Sequence, residues 1–187
     1  MYKKRYLYND SSRAAIGSSR KFLIINVWRF EMRLALFQPD IPQNTGTMMR
    51  LCACVDVPID IIEPCGFVFN DKAMRRAGMD YLDMVDYRRH DSWQDFLQYR
   101  AGHSEEYGRI ILLTTKSSEP YVNFEFKDND IILMGRESAG VPQEVHDIAD
   151  ARLVIPMNEK ARSINVAVSA TMVIGEALRQ IKWQNIY

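Results

Sequence analysis

The sequence predicts an α/β domain, a mostly parallel sheet flanked by helices, and three observations carry that prediction. From residue 32 onward, short β-rich runs alternate with helical stretches. The 187 residues are 47% hydrophobic and 26% charged, which suits one domain with a substantial core and excludes a disordered chain. A long helical pattern whose first ten residues carry no charge closes the domain, as expected of a helix covered on most of its sides.

The elements follow in order. Leu34-Ala35-Leu36-Phe37 marks a first strand at 33–37, and a second at 58–62 ends in Ile61-Ile62. Three more fall at 109–114, 130–134 and 152–155, the first two around Ile110-Ile111-Leu112-Leu113 and Ile131-Ile132-Leu133-Met134. Helical stretches lie between them at 47–54, 72–77, 92–99 and 143–148. The last of these has Pro142 at its first turn, where a missing N–H costs nothing. The final helix is expected at 166–183: Val166, Val173 and Ala177 recur on a 3.6-residue period, and Val168, Met172 and Leu178 widen the apolar face.

Residues 1–31 read differently. They hold seven basic and two acidic residues with no periodicity, a leader appended to the domain of residues 32–187 rather than part of its fold. A transit or secretory peptide is the weaker reading, and Met32, just before the first strand, fits the domain's own start. The whole chain balances 24 basic against 24 acidic residues. Without the leader, 17 basic face 22 acidic, a net charge of −5. Binding of nucleic acid through an overall basic surface is therefore excluded, and any such contact is local and selective. Three clustered cysteines, Cys52, Cys54 and Cys65, make no disulfide framework and point to a reducing cytoplasm. Their spacing argues for buried, inert thiols rather than zinc ligands. The apolar runs are far shorter than the roughly 20 residues of a membrane-spanning helix, so no membrane partner is expected.

Chemistry in an open α/β sheet collects beyond the carboxyl ends of the strands, and three loops there qualify. The first runs from Pro39 to Arg50 through Asn44 and Gly46 into a helix, whose start offers N–H donors while Arg50 offers a fork for phosphate or carboxylate. Taken alone, Asn44 is equally a turn or cap residue and Arg50 a surface ion-pair residue. The second, Gly135 to Pro142, lets a ligand approach the main chain or is an ordinary strand-to-helix turn. It lacks the spacing of the dinucleotide and phosphate-cradle motifs. The third gathers Asn158, Lys160, Arg162, Ser163 and Asn165 beside the uncharged helix, and Ser163 or Asn165 could simply cap it. Among other candidates, His90, His103 and His146 stand among polar residues and are expected on the surface. Lys72, Arg75, Arg76, Arg88 and Arg89 form either a solvated face or a nucleic-acid patch.

Five strings, in register over about 150 residues, resemble the SPOUT superfamily of RNA methyltransferases, and within it the tRNA (cytidine/uridine-2′-O)-methyltransferases of the wobble nucleotide. They are Gln38-Pro39 with Ile41 to Gly46 and Arg50 to Ala53, Ile61 to Phe67, Asp71-Lys72 with Arg75 to Tyr81, the Gly135 to Pro142 loop, and Arg162 to Asn165. The resemblance implies a C-terminal trefoil knot, a rare exception to the unknotted rule, that holds S-adenosyl-L-methionine through main-chain groups near Leu113, Gly135, Ile155 and Ser163. It implies a homodimer whose sites are completed by the neighbouring subunit, and a tRNA substrate held by Asn44, Arg50, Lys72, Arg75 and Arg76. It assigns Arg50, Ser163 and Asn165 to catalysis without a metal, since the methyl donor carries its own leaving group. A permanently charged arginine suits phosphate anchoring and transition-state electrostatics better than proton removal. In one departure, Gly175 stands where some members carry a tyrosine in the last helix. The rival readings are a methyltransferase of this type acting on another RNA, and a non-catalytic RNA-binding protein with the same fold.

Overall fold

The computed structural model describes residues 31–70 and 84–183. Apart from Glu31, the basic leader lies outside them, as does the helix expected at 72–77 with Lys72, Arg75 and Arg76.

The elements run β1 (Arg33–Phe37), α1 (Pro42–Val55), β2 (Ile59–Ile62), β3 (Tyr87–His90), α2 (Trp93–Gly102), β4 (Ile110–Leu113), β5 (Ile131–Met134), α3 (Gln143–Ile148), β6 (Ala151–Leu153) and α4 (Val166–Ile181), with a 3₁₀ turn at Tyr121–Asn123. Six strands form one sheet in the order β3-β2-β1-β5-β4-β6, and every pairing is parallel. The chain winds outward from β1 through β2 to β3 and builds the other half from β4, β5 and β6. The order therefore switches between β1 and β5, the place where open sheets leave a crevice for ligands.

Both faces of the sheet are covered, as parallel sheets require. Leu34, Leu36, Ile59, Ile61, Ile132 and Met134 point to one side, under Met48, Met49 and Cys52 of α1 and Ala170, Val173, Ile174 and Ala177 of α4. Ala35, Phe37, Ile62, Ile131 and Leu133 point to the other, under Trp93 and Phe96 of α2 and Val145 of α3. Alternation along each strand sorts side chains between two cores.

Strand β3, Tyr-Arg-Arg-His, was not expected from its composition. It pairs only with β2, at the sheet's edge, so an exposed and charged face is tolerated there. Arg88 and Arg89 thus lie on an edge strand: Arg88 sits 4.2 Å over the Tyr99 ring, and Arg89 bonds Glu63 and covers Phe69. The expected surface placement fails for two histidines. His90 is only 2% exposed and His146 only 8% exposed, while His103 remains on the surface. His90 is buried because Asp60, fully enclosed in β2, accepts hydrogen bonds from its Nε2 (2.7 Å), from Arg33 Nε (2.5 Å) and from Tyr107 Oη (3.0 Å). Of the thiols, Cys52 is in the core, where burial pushes its pKa far up, Cys65 is half-buried and Cys54 is exposed.

Two helices also depart from expectation. Helix α1 starts five residues early, at Pro42, with no side-chain cap on Ile41, so Asn44 and Gly46 sit within its first turns; Gly46 needs no unusual backbone angle. In α4, Val173, Ala177 and Leu178 are buried as expected, but Val168 and Met172 stay 51% and 37% exposed, on a stripe that the described residues leave uncovered.

Candidate active site

The three loops meet over the β1/β5 switch and enclose a cavity of about 450 Å³. Leu113, Gly135, Ile155 and Ser163 all line it, with Asn44 and Asn165 at one end. Its walls include Leu112, Met134, Val141 and Ile155, and its size is that of an ordinary small-molecule site.

Two carboxamides and two carboxylates lock the loops together. Asn165 is the N-cap of α4: its Oδ1 accepts from the N–H of Ala167 (2.9 Å) and Val168 (3.3 Å). Its Nδ2 meanwhile donates to Asn44 Oδ1 at 3.0 Å. Asn44 Nδ2 in turn donates to Glu137 Oε1 at 3.0 Å, and Glu137 Oε2 accepts the N–H of Asp40 at 2.9 Å. Asp40 closes the clasp by accepting from the N–H and hydroxyl of Ser138. That hydroxyl holds the Asp40 carboxyl below its ordinary pKa, with smaller help from the Ser138 N–H and the Arg136 charge and against slight burial. The capping reading of Asn165 holds, and the same carboxamide keeps its donor for Asn44, since its oxygen serves the helix and its nitrogen the neighbouring loop.

The second loop is tied by paired main-chain hydrogen bonds between Arg136 and Gly140, both 3.0 Å, with Gly140 at φ +67°. A Cβ on Gly135 would stand 2.8 Å from the Gly140 carbonyl carbon and 2.9 Å from its Cα. Only glycine lets the main chain fold this tightly against the cavity.

Other expected residues fall elsewhere. Arg50 is exposed on α1 and does not line the cavity, being six residues, about 9 Å of helix rise, beyond Asn44 and on a different face. Lys160 and Arg162 are exposed on the third loop. Among the lining and clasping residues, Glu137 stood unremarked between two glycines, Lys116 was not singled out, and His146 was expected on the surface. No local pattern marks the last two, which join the cavity from separate elements.

An all-parallel sheet with a lined cavity above its topological switch defines a ligand-binding α/β protein. Comparison with known proteins narrows the class: residues 31–175 match the SpoU rRNA Methylase family, and the chain belongs to that family. A protein of Beijerinckia indica called tRNA (cytidine(34)-2′-O)-methyltransferase is 60% identical over 148 residues, 79% of this chain and 91% of that protein. A solved RNA methyltransferase from Bacillus anthracis superposes with a TM-score of 0.73 at 32% identity, covering 82% of this chain and 96% of that one. Another solved structure, concerned with 2-OH methylation of C/U34 on tRNA, superposes with a TM-score of 0.72 at 36% identity and covers 80% and 95%.

Proposed function

We propose that the chain transfers a methyl group from S-adenosyl-L-methionine to the ribose 2′-hydroxyl of the tRNA wobble nucleotide, position 34, a cytidine or modified uridine. One observation carries the reading: a single cavity gathers Leu113, Gly135, Ile155 and Ser163 beside the Asn44–Glu137–Asn165 chain. Apolar walls for an adenine ring, polar ends and a volume near 450 Å³ fit that donor. When bound, S-adenosyl-L-methionine supplies an electrophilic methyl group with a thioether as leaving group, chemistry that calls for no metal. The names of the Beijerinckia indica protein and of the C/U34 structure support the substrate.

In this reading Ser163 and Asn165 orient the hydroxyl at the cavity's polar end, within a frame that the clasp holds rigid. Arg50 anchors RNA phosphate and stabilises charge growing on the oxygen. It does so in the site of a second copy, because in its own chain it stands on an exposed face of α1. The stripe of Val168, Met172 and Gly175 on α4, uncharged and left open by the described residues, suits the homodimer that this requires; a Cβ at Gly175 would meet nothing within 4 Å among them. Lys72, Arg75 and Arg76 extend the RNA contact. The domain is residues 32–187, the leader lies outside it, and the protein acts in the cytoplasm. A C-terminal trefoil knot is supported by the way α4 is held: Gln180 bonds Phe124 O and Phe126 N, both 3.0 Å, in the connection between β4 and β5, whose Pro120 bridges Val154 beyond β6.

The test is methylation of a tRNA pool with the purified chain, mapped by nucleoside mass spectrometry. Methyl incorporation at ribose 34 is expected. Incorporation elsewhere would favour another RNA, and donor binding without turnover a non-catalytic protein. Arg50→Ala should abolish methylation while leaving donor binding intact.

A further inference from the structure

Arg136 follows Gly135 at the end of β5 and lines the cavity, half-buried, with a guanidinium that the described residues leave unsatisfied. Its Nε is buried without a hydrogen-bond partner, and none of its guanidinium N–H groups reaches an acceptor on a described residue. What the side chain does meet is apolar or turned to other donors. Its Cζ stands 5.6 Å over the Phe37 ring, a contact that favours the charge but takes no in-plane N–H. Of the two carboxylates of the clasp, Asp40 receives the N–H and hydroxyl of Ser138, and Glu137 receives Asn44 Nδ2 and the Asp40 N–H. Arg136 acts on Asp40 through space alone. An unpartnered buried donor costs stability, and one on the wall of a reaction cavity calls for a function.

Position decides what Arg136 would hold. Strand β5 neighbours β1, so the loop after it stands beside Asp40 and Asn44 of the loop after β1. Lys116, another cation on the cavity wall, follows β4, one strand further from β1. In RNA the carbon bearing the 2′-hydroxyl adjoins the carbon bearing the 3′-phosphodiester. A nucleotide that brings its 2′-oxygen to the carboxamide end of the cavity therefore brings that phosphate with it. Without Arg136 the phosphate would face the carboxylates of Asp40 and Glu137, which repel it.

We propose that the Arg136 guanidinium binds the phosphodiester on the 3′ side of the nucleotide being methylated and so positions its ribose for transfer. The assignment rests on the proposed tRNA reaction and adds a contact made within the chain, whereas Arg50 reaches in from the second copy. Rotation of the side chain off the Phe37 ring presents Nε and one Nη to two phosphate oxygens at once. An apolar contact and an orphaned donor are thereby exchanged for a bidentate pair. The same guanidinium offsets the phosphate's charge while the neighbouring 2′-oxygen gives up its proton, so the contact strengthens toward the transition state.

The test uses the full chain and two tRNAs assembled by ligation, each carrying one neutral methylphosphonate linkage, on the 3′ or the 5′ side of nucleotide 34. On unmodified tRNA, Arg136→Ala should lower kcat/KM about thirtyfold while S-adenosylhomocysteine binding in calorimetry stays within about twofold of wild type. Its melting temperature should be no lower, since the substitution removes an unpaired donor, and Arg136→Lys should recover part of the activity as a point charge. The neutral 3′ linkage should cost the wild type a similar factor and cost Arg136→Ala nothing more. The neutral 5′ linkage should leave the Arg136→Ala loss whole. Independent losses from Arg136→Ala and the 3′ linkage, or an unchanged kcat/KM in Arg136→Ala, would overturn this assignment alone. So would a parallel loss of S-adenosylhomocysteine binding, which would make Arg136 part of the donor's wall. A wild-type chain that leaves nucleotide 34 of unmodified tRNA unmethylated would overturn the wobble reading and this assignment with it.

Discussion

Asn165 joins the cap of α4 to the first loop through the two atoms of one carboxamide. Replacing it with Asp keeps an oxygen for the N–H groups of Ala167 and Val168 but removes the donor to Asn44 and sets a carboxylate against that oxygen. Asn165→Asp should therefore melt close to wild type and lose most methyl transfer, whereas Asn165→Ala should also lose about 1 kcal/mol of stability. Thermal melts and a methyl-transfer assay separate the two. His146 offers a second residue-scale outcome. Burial, with Lys116 and Arg152, holds its native pKa below the ordinary 6.5. Below about that pH the unfolded chain takes up a proton that the native chain refuses, so His146 makes stability fall on acidification, and above it contributes no slope. Urea midpoints measured from pH 7.5 to 5 should decline less in His146→Gln than in wild type.

At the scale of elements, what binds the sheet's edge is a buried carboxylate rather than an apolar run. Asp60 ties β1 through Arg33, β3 through His90 and the approach to β4 through Tyr107. Asp60→Ala would leave Arg33 enclosed without its counter-charge and should cost about 3–5 kcal/mol in denaturant unfolding. The loop after β5 depends on a missing side chain. Gly135→Ala drives a methyl group into the main chain of Gly140 and should weaken donor binding in calorimetry more than it lowers the melting temperature, because the loop is the cavity's wall while its core contacts lie elsewhere. These elements also divide what local sequence could disclose. Strands β1, β2, β4 and β5 are apolar and were legible. Strand β3 was not, because an edge strand buried through one histidine carries no hydrophobic period. The start of α1 was misplaced because no side chain caps it.

At the scale of the whole molecule, the proposed dimer places Arg50 of one copy in the site of the other. Mixing Arg50→Ala with Asn165→Ala chains in equal amounts should then restore about a quarter of wild-type activity, since half the dimers are mixed and each has one complete site. Arg50 acting within its own chain would give no recovery. Val168→Glu should convert the proposed dimer to a monomer in sedimentation, because it sets a charge on an apolar stripe that the described residues leave open. A chain lacking residues 1–31 should methylate tRNA as well as the full one. The sequence by itself determined the alternating architecture, the three loops and the family, because hydrophobic period and short motifs are local properties. The resemblance also singled out Leu113, Gly135, Ile155 and Ser163, which the structure brings to one cavity. Only the tertiary structure decided that Asn44, Glu137 and Asn165 bond one another, that His90 and His146 are buried, that Arg50 lies outside its own cavity and that Lys116 and His146 line it. Each of those depends on parallel strand order, which brings residues as far apart as Asn44 and Asn165 to 3.0 Å, and no local pattern encodes that order.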